Sequence, residues 1–426
     1  MTIGKIAADG VLAHDELRQI VAQAAAELQV AGKRVLTLIP DGTRTMPMPL
    51  MFRLLQEEIG ASATASDYLV ALGTHPRMND TQLTRLMGSP VVDGICGKAR
   101  VFNHRWDLPG TFADLGTIPA NEVTEVSGGL LSDPILIKIN RLLFDYDQVL
   151  ICGPVFPHEV VGFSGGNKYL FPGVSTGEMI DHTHWLGALI GSYHLIGTGC
   201  TPVRELIDQA AAKVTVPVAC FSLVLAQQGI AGMFFGPARA AWKAAAELSS
   251  QKHVQWVDCP FRRVLSVLPE MYDDIWTGAK GMYKVEPAIE EGGEVVLFAP
   301  HITEFSYTHG AFLDKIGYHC RDYFLKQWNR FDSIPRGVIA HSTHLVGQGT
   351  YDKVTGREVP RIRVTLATGI PEERCRRMNL GYLDPEKIRI RMQDWRGRES
   401  EGIKLIPRAG EILYRLKTPP PRGPKP

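Results

Sequence analysis

The sequence lacks the features that would assign it to nucleic acid, a membrane or an oxidising compartment. Its 46 Lys+Arg are matched by 45 Asp+Glu, so no basic excess marks a binder of polyanions, and a small-molecule partner becomes the default. No uninterrupted apolar run reaches membrane-spanning length, and the opening MTIGKIAADGVLAHDELRQI has no basic stretch followed by an apolar one. The expectation is a cytoplasmic protein with no nucleic-acid or membrane partner. Seven cysteines (Cys96, Cys152, Cys200, Cys220, Cys259, Cys320, Cys375) are scattered and form no C-x-x-C. That excludes a disulfide framework or a zinc ribbon and predicts small buried apolar residues. No internal repeat is evident.

What is present is the alternation of an α/β protein, in a chain of 426 residues that is too long for one ordinary core. RVLTLIP (34–40), DYLVALGT (67–74), ARVFNH (99–104) and DQVLICGPV (147–155) read as strands, being dense in β-branched and apolar residues and ending in turn chemistry. PLMFRLLQEEIG (49–60) and NDTQLTRLMG (79–88) are amphipathic and lie between them. This βαβ pattern predicts mostly parallel sheets covered by helices. A second α/β segment begins between 245 and 262: RRVLSVLPE is strand-like, VEPAIEEGG helical, EVVLFAP strand-like, and IRVTLATG follows further on. The closing TPPPRGPKP (418–426) reads as a disordered or polyproline-like tail.

In an open parallel sheet, ligands collect beyond the carboxyl ends of the strands. PDGTRTMP (40–47) follows the first strong strand and supplies Asp41, Thr43 and Arg44 before a helix opened by Pro47. A D-G turn with a surface arginine would read the same way. GTH (73–75) leaves His75 at the next strand exit, and His158 follows DQVLICGPV. Three strand ends that each deliver an ionisable group point to one site. GFSGGNK (162–168) is like a phosphate cradle in its glycines but is no Walker A sequence: the spacing differs, and Tyr169 stands where a magnesium-binding hydroxyl would. STGE (175–178) has the form of a capping box and starts a helix at about Thr176. His182 and His184 on that helix point about 200° apart, so they cannot both ligate one metal, and periodicity does not choose between them.

DGTRTMP, GTH, PHEVVGFSGGNKYLFPGVS, His184 and WTGAKG (276–281) together resemble the lactate racemase family, over most of the chain. The resemblance implies two α/β domains with an active-site cleft between them. The first is a cofactor-binding domain at 1–255 that recovers 396–418; the second lies at 260–395, and 419–426 form the tail. It implies a nickel-pincer nucleotide (the nickel complex of pyridinium-3-thioamide-5-thiocarboxylic acid mononucleotide) tethered covalently to Lys168, with His184 as the protein ligand to nickel. His75 and His158 would be the acid/base pair, and Arg44 would hold the substrate carboxylate. Lys280 and Thr277 would approach the substrate from the second domain, and Asp41, Ser164, Gly165 and Gly166 would position the cofactor or its loop. The implied partners are a 2-hydroxy acid and the enzymes that make the cofactor: a carboxylase, a sulfur transferase and a nickel insertase.

The activity implied is a racemase or epimerase that inverts Cα by reversible hydride transfer. Lactate-specific members carry glutamine where this chain has Thr277, so a substrate other than lactate is expected. A zinc hydrolase using His75, His158 and His184, and a binder of hydroxy acids without turnover, are the competing readings. HSTHLVGQGTYD (341–352) is expected as a polar loop, although His341, His344 or Gln348 could line a pocket.

Overall fold

The computed structural model describes residues 2–418. The described residues divide into two compact units: the first comprises 2–156, 163–183 and 199–252, the second 157–162, 184–198 and 253–418.

The first unit is built on an eight-stranded sheet. Its order is Ile3–Ile6, Gly229–Gly236, Val218–Ala226, Gln148–Pro154, Arg34–Ile39, Ala65–Val70, Ala99–Asn103 and Ile95–Cys96. The stretch from Val218–Ala226 to Ala99–Asn103 is parallel throughout, and the outer pairings are antiparallel. All four strands read from the sequence here are found, and the reason is burial. A parallel sheet covered on both faces needs unbroken apolar runs, and Gln148–Pro154 is buried at every position. The covering helices bury one face each: His14–Leu28 through Leu17, Ile20, Val21 and Ala24, and Asp80–Met87 through Leu83 and Met87.

The second unit carries a five-stranded, all-parallel sheet ordered Gly381–Tyr382, Arg363–Thr368, Ile289–Ala299, Phe261–Val267 and Ile403–Ile406. Four expectations need correction. VEPAIEEGG is not a helix: one 3-10 turn at Glu286–Ala288 passes directly into the strand Ile289–Ala299. Gly292 and Gly293 weaken a helix, and Gly292 adopts φ +75. The segment 396–418 does not rejoin the first unit. Ile403–Ile406 extends the second sheet, and Leu413–Leu416 pairs in parallel with Val254–Val257.

HSTHLVGQGTYD is not a loop: 341–346 end the helix Arg336–Val346, in which every residue from Gly337 to Val346 is buried, and 349–352 form the strand Gly349–Asp352. Its polar residues disguise a core element. Finally, the helix Gly177–Ile190 is capped one residue later than STGE suggests: the Thr176 hydroxyl accepts from the Met179 N–H at 3.4 Å, while Ser175 Oγ has no partner among the described residues. The expected tail, 419–426, lies outside the described residues. Among those described, no helix is long and apolar enough to cross a membrane.

Candidate active site

Arg34–Ile39 and Ala65–Val70 are adjacent parallel strands, so their exits fall at the same end of the sheet. That places Asp41 beside His75. Asp41 is 5% exposed. Its Oδ1 accepts from the Thr43 N–H at 3.0 Å and the Thr43 hydroxyl at 2.6 Å, and its Oδ2 lies 2.5 Å from His75 Nδ1. Burial alone would raise the Asp41 carboxyl, but the charges of His75 and Arg44 and the hydrogen bonds from His75 and Thr43 outweigh it and hold the carboxyl well below its usual range. Arg44 is tied to the same turn through Thr43, whose carbonyl and hydroxyl both accept from it. His75 is fixed from its main chain as well: its N–H donates to Leu72 O, and its carbonyl accepts from Trp106 Nε1 at 3.0 Å. With Nδ1–H on Asp41, His75 Nε2 is left as a proton acceptor.

The glycine loop is held from below. Arg204, 3% exposed, donates to Gly165 O at 3.0 Å and to Phe163 O, and its guanidinium lies 4.1 Å from the Trp242 ring. Trp242 Nε1 donates to Ser164 O at 2.9 Å. Ser164 Oγ accepts from the Phe156 N–H and bonds Pro154 O, closing the loop onto the strand it leaves. The glycines are demanded by this packing. Gly165 and Gly166 sit at φ +85 and +59, and a Cβ would come 2.7 Å from Val155 Cγ2 at the first and 2.9 Å from Trp242 Cβ at the second.

Two of the loop's N–H groups are engaged within the protein: Ser164 donates to Phe156 O and Lys168 to Gly165 O. The phosphate-cradle likeness therefore gives way to a clamped bend that presents Lys168, partly exposed, in the turn Gly166–Tyr169. Tyr169 of this bend lies within electrostatic reach of Arg44 and Asp41. Its hydroxyl packs where Gly153 would carry a Cβ, 1.9 Å away. Burial pushes its phenol well above the usual range, opposed by Arg44 and reinforced by Cys152, Cys220 and Asp41.

Arg204 and Trp242 escaped sequence reading because nothing local marks them. Arg204 sits in an ordinary amphipathic helix, Pro202–Ala211, far along the chain from the loop it holds. Arg204→Met is expected to destabilise the protein by about 2–4 kcal/mol, since two loop carbonyls lose a charged donor, and to speed hydrogen exchange across 163–169. Urea unfolding with exchange mass spectrometry measures both.

In the second unit, His158 Nδ1 is met by the Val160 N–H at 3.1 Å and by Glu159 Oε2 at 3.2 Å. His184 is partly exposed, and His182, on the same helix, is partly exposed as well. His184 interacts with His341, a buried residue that stacks on Trp276 with centroids 4.1 Å apart and faces the Tyr318 hydroxyl at 3.3 Å. Trp276 also packs on His309 at 4.6 Å. Burial, with His344, His309 and His184 adding to it, pushes His341 well below the usual histidine range.

Thr277 is buried, and its hydroxyl bonds Asp274 O and Oδ1, both at 3.1 Å. Lys280 Nζ lies 4.4 Å over the Tyr272 ring. Among the described residues, no group of three His, Cys, Asp or Glu side chains is arranged to hold a metal by itself.

Residues 13–194 match the family model described as the lactate racemase N-terminal domain. Asp41, Arg44, His75, His158, Lys168 and His184 all fall within that span, and Thr277 and Lys280 fall outside it. The chain is 23% identical over 279 residues to the lactate racemase of Thermoanaerobacterium thermosaccharolyticum and 24% identical over 278 residues to that of Lactiplantibacillus plantarum. Each match covers 64% of this chain and 61% of the relative, so it spans less than two thirds of the curated proteins' length. A Thermotoga maritima protein of known crystal structure superimposes with a TM-score of 0.86 at 32% identity, covering 96% of this chain and 99% of that one. The lactate racemase apoprotein of T. thermosaccharolyticum shares the fold, with a TM-score of 0.71 at 18% identity over 95% of this chain and 94% of that one.

Proposed function

Because the chain belongs to the lactate racemase family, we propose that it is a racemase or epimerase inverting Cα of a 2-hydroxy acid, with Lys168 tethering a nickel-pincer nucleotide and His184 ligating its nickel. The observation that carries this reading is the Asp41, His75 and Arg44 group, with the bend that presents Lys168 placing Tyr169 within electrostatic reach of Asp41 and Arg44. The residues fit the cofactor. A partly exposed primary amine on a fixed bend suits acylation by a thioacid, and a partly exposed imidazole suits a nickel site completed by ligands from outside the protein. When bound, that group would accept a hydride from Cα and return it.

The chain's own residues do the rest. Arg44 binds the substrate carboxylate by charge-assisted hydrogen bonds. His75, oriented by Asp41, takes the hydroxyl proton at Nε2, and His158 serves the opposite configuration, each contributing on the order of 10²–10⁴ in rate. Ser164, Gly165 and Gly166 shape the bend, and Lys280 and Thr277 approach the substrate. The Thr277 hydroxyl is already committed to Asp274, which supports a substrate other than lactate.

The test is polarimetry on single-enantiomer 2-hydroxy acids, using protein made alongside the cofactor biosynthesis enzymes. Rotation should decay to that of the racemate or epimer mixture for at least one of them. His184→Ala should lose nickel while keeping the Lys168 adduct, and His75→Gln should keep both and stop inversion. Loaded protein that changes the rotation of no hydroxy acid would sink the proposal.

A further inference from the structure

His158 lies between two groups that favour different states of its ring. The Val160 N–H donates to Nδ1 at 3.1 Å, which requires a bare Nδ1. Glu159 Oε2 lies 3.2 Å from the same nitrogen and can bond it only when Nδ1 carries a proton. In the structure the ring accepts from Val160, and Glu159 stands beside Nδ1 as a charged neighbour that a proton on that nitrogen would engage. Held by Val160, the neutral ring has its proton on Nε2 and cannot accept another there. Held by Glu159, it has Nδ1–H and a bare Nε2, which is the state Asp41 imposes on His75.

We propose that Glu159 is the positioning residue of His158: its carboxylate selects the Nδ1–H tautomer against the Val160 N–H, so that Nε2 exchanges a proton with the substrate oxygen. This rests on the reading of His158 as one of the acid/base pair. With the cofactor bound to take up the Cα hydride, the substrate O–H bond would break and an N–H bond would form at Nε2. The positive charge then appears on a ring whose Nδ1–H already donates to a carboxylate. On return, the Nε2–H bond breaks, the O–H bond re-forms, and the ring is again the neutral Nδ1–H form.

A histidine also interacts with Glu159: His344, which is 4% exposed. His341, in turn, interacts with His344, His309 and His184. Burial keeps His344 down at about 4, so it is neutral near pH 7 and does not offset the Glu159 charge 3.2 Å from His158 Nδ1. The segment is also immobilised next to the helix Gly177–Ile190, because a Cβ at Gly187 would stand only 3.0 Å from Val160 Cγ1. The ring's choice of partner therefore does not need main-chain movement.

The experiment reads the imidazole ¹⁵N shifts of His158 in the full-length protein, with His158→Gln giving the assignment. In the wild type at neutral pH, Nδ1 should be protonated and Nε2 bare. In Glu159→Gln, which keeps the size and removes the charge, the population should shift at least about tenfold toward the Val160-held tautomer. Turnover should drop by on the order of 10²-fold with the mass of the Lys168 adduct unchanged, and Glu159→Asp should restore part of it. A bare Nδ1 in the wild type overturns the proposal whether or not the variants fold, as does a tautomer ratio that Glu159→Gln leaves unmoved. If Nδ1 is protonated on Glu159 yet loaded wild type inverts nothing, the positioning role stands and the functional reading falls.

Discussion

Lys168→Ala should yield a folded protein with no covalent adduct and no inversion activity, the largest functional effect expected of any single substitution in this chain. Folding should survive, because the bend is held by other groups. Arg204 and Trp242 bind the carbonyls of 163–165, Asn167 Nδ2 donates to Asp208 at 2.9 Å, and the Lys168 main chain bonds Gly165 and Gly173. None of these contacts uses the lysine amine. Intact mass spectrometry of protein co-produced with the cofactor enzymes decides the matter: wild type should carry the nucleotide mass on the peptide containing Lys168, and the variant should carry none. Arginine at 168 should also fail, since a guanidinium is not acylated under these conditions. An adduct of unchanged mass in Lys168→Ala would move the tether elsewhere and remove the main reason for the glycine bend.

The second large effect is on stability. His104 is 1% exposed, with Nε2 at 2.9 Å from Ser175 O and Nδ1 accepting from Asn140 Nδ2 at 3.1 Å. Its ring is therefore neutral with a fixed tautomer, and burial pushes it down to about 4 against the raising effects of Ser175 and Asp107. His344 is likewise pushed down to about 4 by burial, with Glu159 opposing. Each is depressed relative to an unfolded histidine at about 6.5, so the unfolded chain binds protons more readily between those values. The stabilising contribution is complete above about pH 6.5 and is lost as the pH falls toward 4. A difference of this size is worth on the order of 3 kcal/mol per histidine at the acid end.

Urea unfolding of the apoprotein at pH 7 and pH 4.5 should show the loss. His104→Gln and His344→Leu should each flatten the pH dependence, even if they lower stability at pH 7. A pH slope identical to wild type in both variants would contradict this. Asp41 acts in the same direction further down: its depressed carboxyl contributes stability that is fully present above the unfolded carboxylate value near 4 and is lost below it. The loss of stability should therefore begin with the histidines below about pH 6.5 and continue below about pH 4 as the Asp41 contribution is lost.

The legible parts of this molecule are those written in local pattern. RVLTLIP and DQVLICGPV announced buried parallel strands because a strand covered on both faces must be apolar at every position, and that requirement is visible in a short window. Asp41, Arg44 and His75 were legible as a group for a related reason: each follows a strand, and parallel strands release their loops on one side. HSTHLVGQGTYD failed in the opposite way. Its histidines, serine and threonines look solvated, yet Ser342 donates to Gly317 O and His341 stacks on Trp276, so the helix buries polar groups by bonding them to distant partners. Hydrophobic periodicity cannot register satisfaction of that kind.

What the sequence by itself determined is the α/β class, the four strands RVLTLIP, DYLVALGT, ARVFNH and DQVLICGPV of the first sheet, and the residue types available for chemistry. These follow from nearest-neighbour sterics and from burial of periodic apolar faces. Tertiary structure alone decided that Arg204 and Trp242 clamp the bend at Lys168, that Asp41 and Glu159 stand on the Nδ1 atoms of His75 and His158, and that 403–416 joins the second unit. The clamp and the rejoining of 403–416 link residues far apart in the chain, and the carboxylates stand where main-chain geometry and side-chain rotamers put them. Their energies come from desolvation and charge at a particular distance, and that distance exists only after the chain has closed on itself.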